Sequence, residues 1–158
     1  MARSQQAPAG DAALALARAK AAVPDCPGDI VIGCDQILVC GQTWYDKPAD
    51  IIAARAQLQA LRGQTHTLET AFVAVQDGHE IFHHLAAPRL TMRAFSDGFL
   101  DAYLAAEGDA ILGSVGAYRL EGLGIQLFDT IAGDHSAILG LPLLPLLGFL
   151  RGIGMMAV

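Results

Sequence analysis

The sequence predicts an α/β domain with a mixed sheet flanked by helices, and three stretches carry that expectation. In "ADIIAARAQLQALRG" (residues 49–63), Ile51, Ala54, Leu58 and Leu61 recur at helical spacing, and Gly63 is placed to stop the helix. "THTLETAFVAVQ" (65–76) has the β-branched content of a long strand. Asp77-Gly78 then separates it from "EIFHHLA" (80–86), a strong signal for a tight hairpin.

The remaining elements follow in chain order. Residues 1–10 are small and polar and are expected to be frayed. Asp11 is placed to cap a helix over Ala12–Ala22 that Pro24 stops. On it Leu14, Ala17 and Ala21 share a face, while Arg18 and Lys20 point elsewhere. "DIVIG" (29–33) reads as a buried strand, and "QILVC" (36–40) as its continuation or a partner strand. "GQTWYDKP" (41–48) reads as a turn or short loop. "PRLTMRAF" (88–95) predicts another strand. "SDGFLDAYLAAEG" (96–108) predicts a helix capped by Ser96, with Phe99, Leu100, Tyr103 and Leu104 as its apolar face and Gly108 as its end. "GAYRLEGLG" (116–124) is irregular, "IQLFDTIAG" (125–133) a strand, and a last helix begins near Pro142. Helix, strands, helix, hairpin, helix, strand, helix is not a clean βαβ repeat. Neither an internal repeat nor a linker interrupts it, so residues 1–158 are expected to form one domain.

Composition narrows the function classes. Hydrophobic residues make up 53% and charged residues 16%, which fits alanine-rich helices or a surface hidden in an oligomer. The net charge of −6 and the lack of a basic run argue against nucleic acid as a partner. The cysteines are Cys26, Cys34 and Cys40, with no CxxC, so neither a disulfide framework nor zinc spacing is present; reduced thiols in a cytoplasmic protein fit best. "MARSQQAPAGDAALALARAK" has no uninterrupted apolar core of signal-peptide type. The longest apolar run, Ile138 to Leu150, has 13 residues, is broken by Pro142 and Pro145, and predicts no membrane span.

Five groups of residues could carry chemistry. Asp35 sits among apolar strand residues, where a carboxylate is either a turn aspartate satisfying local amides or a general base or divalent-metal ligand. Lys47 precedes Pro48, which biases it to an extended backbone; it is either a solvated loop charge or a cation for phosphate. Glu121, between glycines in "LEGLG", is either a loop carboxylate or a group that bonds a base edge or a metal. His66 reads as a structural histidine bonded to backbone. His79, His83 and His84 suggest a metal cluster, but strand alternation puts His83 and His84 on opposite faces. Ser114 lacks a nucleophile signature, and neither a P-loop nor GxGxxG occurs.

Taken in order, "LARAKA", "VIGCDQ", "DKPAD", "LRGQTHTLET", "GSVGAY", "LEGLG" and "AGDHSAILGLPLLPLLGFL" resemble the Maf family, the septum-formation-inhibitor-like nucleotide pyrophosphatases. The series runs from about Leu14 to the end of the chain. The resemblance implies a two-lobed fold with a long twisted sheet. It also implies hydrolysis of a nucleoside triphosphate to monophosphate and pyrophosphate with a divalent cation, magnesium or manganese. Asp35 matches the family's acidic residue after the strand, a base or metal-binding group. Lys47 matches the lysine of its KP motif as a second catalytic residue, and Lys20 the lysine of its KA helix as a substrate-binding one. Glu121 stands where some branches have glutamine, and is carried over as a substrate and metal ligand. Gln36 and Glu121 together resemble the 7-methyl-GTP branch: an anionic acceptor suits the N–H donors of a guanine edge, and a methylated cationic base still more. The family's leading strand and Ser/Arg-rich "SxSPRR" segment has no equivalent here, since "ARS" at 2–4 is not in a strand context. That implies a missing strand, a sheet edge for a second copy to cover as a homodimer, and lost phosphate-binding arginines. The alternatives are a dTTP/UTP pyrophosphatase, or a catalytically impaired remnant that binds nucleotide or oligomerises.

Overall fold

The computed structural model describes residues 2–3, 8–23 and 27–157. Its elements are β1 (Ala2–Arg3), α1 (Ala9–Ala21), β2 (Ile30–Cys40), β3 (Thr43–Tyr45), α2 (Ile51–Leu61), β4 (Thr65–Gln76), β5 (His79–Ala86), β6 (Arg89–Met92), α3 (Asp97–Glu107), β7 (Phe128–Ala132), α4 (His135–Ile138) and α5 (Leu143–Gly152). Three 3-10 segments, Gly108–Gly113, Val115–Ala117 and Leu123–Leu127, lie between α3 and β7. The chain forms two compact units. Unit 1 holds residues 1–6, 37–68 and 88–132; unit 2 holds 7–36, 69–87 and 133–158. The long strands β2 and β4 are divided between the units, β2 after Gln36 and β4 after Leu68.

In unit 1 the strand order is β1-β3-β2-β4-β6-β7. Cys40 pairs with Thr43 across a two-residue Gly41-Gln42 turn, so "TWY" is a strand where a loop was expected. Its β-branched and aromatic residues suit a pleated, half-buried surface. Ala2 and Arg3 pair with Tyr45 and Trp44, so "AR" does stand in a strand, contrary to the sequence reading of a frayed start; Ser4 lies outside the described residues. α2 buries Ala54, Gln57, Leu58 and Leu61, and Asp50 caps it by accepting from Ala53 N at 2.7 Å. α3 is capped by Ser96, which accepts from Phe99 N, and buries Leu100, Tyr103 and Leu104. The last strand is shorter than expected: Ile125–Leu127 wind into a 3-10 turn because Gly124 packs against Arg119, where a Cβ would lie 2.4 Å from its carbonyl oxygen.

In unit 2, α1 lies on the first half of β2. Its buried stripe is Gly10, Ala13, Ala17 and Ala21. A Cβ on Gly33 would fall 2.2 Å from Ala17 O and 2.6 Å from Ala21 N, so the helix backbone rests directly on the strand. The helix begins at Ala9 behind Pro8, whose φ of −57° is already helical. Asp11 therefore sits in the first turn, favourable for the dipole but not a cap; Pro24 lies outside the described residues. "DIVIG" and "QILVC" are one strand. β4 and β5 form the expected hairpin, with Asp77 and Gly78 at φ +50° and +78° as a primed turn requires. α5 covers β5 through Phe149 stacked on Phe82 at 4.7 Å. α4 was not foreseen; at four residues it is too short to show a period.

Every strand pairing with a described register is antiparallel. In unit 2, Gln36 meets Thr70 while Gly28 meets Gln76 and Asp77, so β2 and β4 also run in opposite directions. The sheet expected to be mixed is thus antiparallel: two of its connections, β2–β3 and β4–β5, are hairpins, and the connection through α3 from β6 to β7 also returns the chain in the opposite direction.

Candidate active site

α1 and β2 bring two of the singled-out residues together in unit 2. Lys20, one turn beyond Ala17, reaches back over the strand. Its Nζ donates to Cys34 O at 3.0 Å and forms a charge-assisted hydrogen bond with Asp35 Oδ1. The Asp35 side chain is 16% exposed and that of Lys20 57%, so the carboxylate is shielded on a rigid strand while the ammonium faces solvent. Asp35 lies inside the 11-residue β2, not after it. Its neighbour Gln36 points to the other face of the sheet. There Nε2 donates toward Thr70 Oγ1 (2.7 Å), Ala137 O (3.0 Å) and Ile138 O (3.2 Å). Gln36 thereby ties α4 to the sheet. That segment is further locked by Asp134, which accepts from Ser136 N and Oγ, and by Ser136 Oγ, which accepts from Leu143 N. The Ser136 hydrogen bonds hold the Asp134 carboxyl below its usual range. Glu69, half-buried on β4, has its carboxyl pushed up by burial.

Unit 1 carries Lys47 and Glu121 at separate places. Lys47 is exposed on the connection between β3 and α2, followed by buried Pro48. Glu121, with a 49% exposed side chain, lies just before the third 3-10 segment. Arg119 Nε donates to its Oε1 at 3.3 Å, and Arg119 Nη1 lies 3.6 Å from Oε2 of Glu107, whose side chain is only 7% exposed. Glu107 Oε1 also accepts from Leu123 N at 2.8 Å, so it braces both ends of the "RLEGL" turn.

His66 is buried, as a structural histidine should be, but it does not bond to backbone. Its Nε2 meets Tyr118 Oη at 2.8 Å, and Nδ1 has no partner among the described residues. Burial lowers its pKa to about 4. His83 Nδ1 pairs with Glu80, which also binds Arg18, while half-buried His84 lies against Phe72. Among the described residues no group of three or more His, Cys, Asp or Glu side chains could hold a metal ion. Cys34 and Cys40 are free thiols, and Cys26 lies outside the described residues. Among the described residues no helix is long and apolar enough to cross a membrane.

The sequence matches the Maf family, described as Maf-like protein, over residues 2–153. This chain belongs to the Maf family. A protein of Granulibacter bethesdensis named nucleoside triphosphate pyrophosphatase is 54% identical over 151 residues, covering 94% of this chain and 77% of the relative. One of the same name from Paramagnetospirillum magneticum is 59% identical over 128 residues, 81% of this chain and 66% of the relative. A third, from Hyphomonas neptunium, is 50% identical over 151 residues, 94% of this chain and 76% of the relative. This chain therefore spans about two thirds to three quarters of the length of these relatives.

Within this Maf protein, three side chains that bear on the singled-out residues were not marked by the sequence reading: Gln57, Glu107 and Arg119. Glu107 and Arg119 gave no signal, because Arg119 meets Glu121, and Glu107 meets Arg119, through a turn whose path is not periodic. Gln57 did give one: it is a polar residue at a position of α2 that the helical period assigns to the core.

Proposed function

We propose that this chain hydrolyses a nucleoside triphosphate to the monophosphate and pyrophosphate. The observation that carries the reading is the shielded Asp35 carboxylate, oriented by Lys20 on a strand that Gly33 lets α1 touch. It is joined by the names of relatives about half identical over most of the chain. One oxygen of Asp35 is held by Lys20, which leaves the other to accept a proton from water as that water attacks phosphorus. Lys47 offers a mobile cation on a fixed backbone, suited to phosphate oxygens whose charge grows during cleavage.

A single shielded carboxylate suits magnesium or manganese in the mode where substrate phosphates complete the coordination. Asp35 is the residue that would hold the ion, and when bound the ion supplies neutralisation of phosphate charge. Glu121 is better assigned to the nucleobase: Arg119 already engages one of its oxygens, and its side chain is half exposed.

The finer proposal is that the substrate is 7-methyl-GTP. A glutamate at 121 presents negative charge to a base edge, favouring a cationic guanine rich in N–H donors over thymine or uracil. Pyrophosphate release from 7-methyl-GTP, dTTP and UTP, with magnesium or manganese, tests both levels. The parent is expected to prefer 7-methyl-GTP, and Glu121→Gln to lower kcat/KM for it by about tenfold relative to dTTP. An unchanged ratio would remove the 7-methyl-GTP assignment. Nucleotide binding without product would replace hydrolysis with a binding role.

A further inference from the structure

We infer that Gln57 is a positioning residue for Lys47, an inference that rests on the proposed role of that lysine. Gln57 occupies the buried stripe of α2 with Ala54, Leu58 and Leu61 and is itself 8% exposed. Its Nε2 donates to Asp46 O at 2.8 Å, while its Oε1 is buried without a hydrogen-bond partner among the described residues. An amide in that state is a poor choice for stability. A buried amide oxygen left unsatisfied forfeits its hydration, whereas an apolar side chain of similar shape would not. A polar group kept at a core position against the local rule calls for an explanation outside packing.

The explanation is in what the one hydrogen bond holds. Asp46 is the residue immediately before Lys47. On the other side, Pro48 is buried and fixes its own φ, and Asp50 is tied to the first turn of α2 through Ala53 N. The backbone of Lys47 is therefore clamped from both directions, although its side chain is exposed. Without Gln57, the tether on the Asp46 carbonyl is lost and the strap Asp46–Pro48, which leaves β3 at Tyr45, gains freedom. Placing a charge on a pre-ordered backbone is the part of catalysis most sensitive to small displacements.

The inference predicts opposite responses of stability and activity. Gln57→Met, unbranched and a good helix former, removes the unsatisfied oxygen and the clamp together. Its melting temperature is expected to match or exceed that of the parent. Its kcat for the best of 7-methyl-GTP, dTTP and UTP is expected to fall about tenfold, with KM changed less than about threefold. Hydrogen exchange at the amides of Lys47, Ala49 and Asp50 is expected to quicken, with α2 unchanged. A merely structural glutamine would instead lower the melting temperature and leave the strap protected. Lys47→Met separates the two levels. If it abolishes turnover while Gln57→Met keeps full kcat and normal exchange, the inference is overturned and the role of Lys47 stands. If Lys47→Met turns over like the parent, or the parent turns over none of the three nucleotides, both fall.

Discussion

His66 shows how one buried side chain couples stability to acidity. The neutral ring bonds Tyr118 and is sealed from water, so charging it in place is unfavourable. Its pKa near 4 when folded lies below the usual histidine value of 6.5. Between those two pH values the unfolded chain binds more protons than the folded one, so acidification favours unfolding. The contribution is complete above about pH 6.5 and lost by about pH 4, and amounts to about 3 kcal/mol. Melting temperature followed from pH 7 to pH 4 is expected to fall, and His66→Gln to flatten that fall. An identical slope in the two proteins would exclude His66 as its source. Residue by residue, the sequence was a good guide to which side chains mattered and a weaker one to what they touch. Asp35 was conspicuous as an acid among apolar residues, and Lys20 could be linked to it only by a resemblance, since 15 positions and a helix–strand contact separate them. Gln36, which the resemblance ties to substrate preference, donates to Thr70, Ala137 and Ile138, contacts that the sequence did not reveal.

At the scale of elements, the contact of α1 with β2 is what sets the Lys20–Asp35 pair. The helix can lie this low because its stripe is glycine and alanine and because residue 33 has no side chain. Gly33→Ala would drive a methyl into the helix backbone at Ala17 and Ala21, atoms that cannot rotate aside. The expected loss is about 2 kcal/mol in urea unfolding. The remaining folded enzyme should also turn over more slowly, since lifting α1 draws Lys20 off the carboxylate. Stability within about 0.5 kcal/mol of the parent would contradict this packing. Elements with a strong local period were legible: α2, α3, β4 and the Asp77-Gly78 hairpin all stand where their patterns put them. Elements defined by partners were not. "TWY" becomes a strand by pairing with β2, β7 starts late because Gly124 packs on Arg119, and α4 exists through Asp134 and Ser136.

At the scale of the whole molecule, composition does not mark the two compact units, because each is built from segments that lie far apart along the chain. They arise because β2 and β4 are long enough to serve both, and the chain returns to each unit at distant positions in sequence. The family was legible because it resides in the order of short motifs, and order survives where each motif alone is weak. The proposed chemistry has this Maf protein cut between the α and β phosphates, with Asp35 driving the cut. The most direct test resolves the products of 7-methyl-GTP, dTTP and UTP by chromatography, with parent and Asp35→Asn side by side. Nucleoside monophosphate and pyrophosphate are expected in equal amounts, with a rate at least about a hundredfold lower in Asp35→Asn. Nucleoside diphosphate with inorganic phosphate, or Asp35→Asn matching the parent, would contradict it.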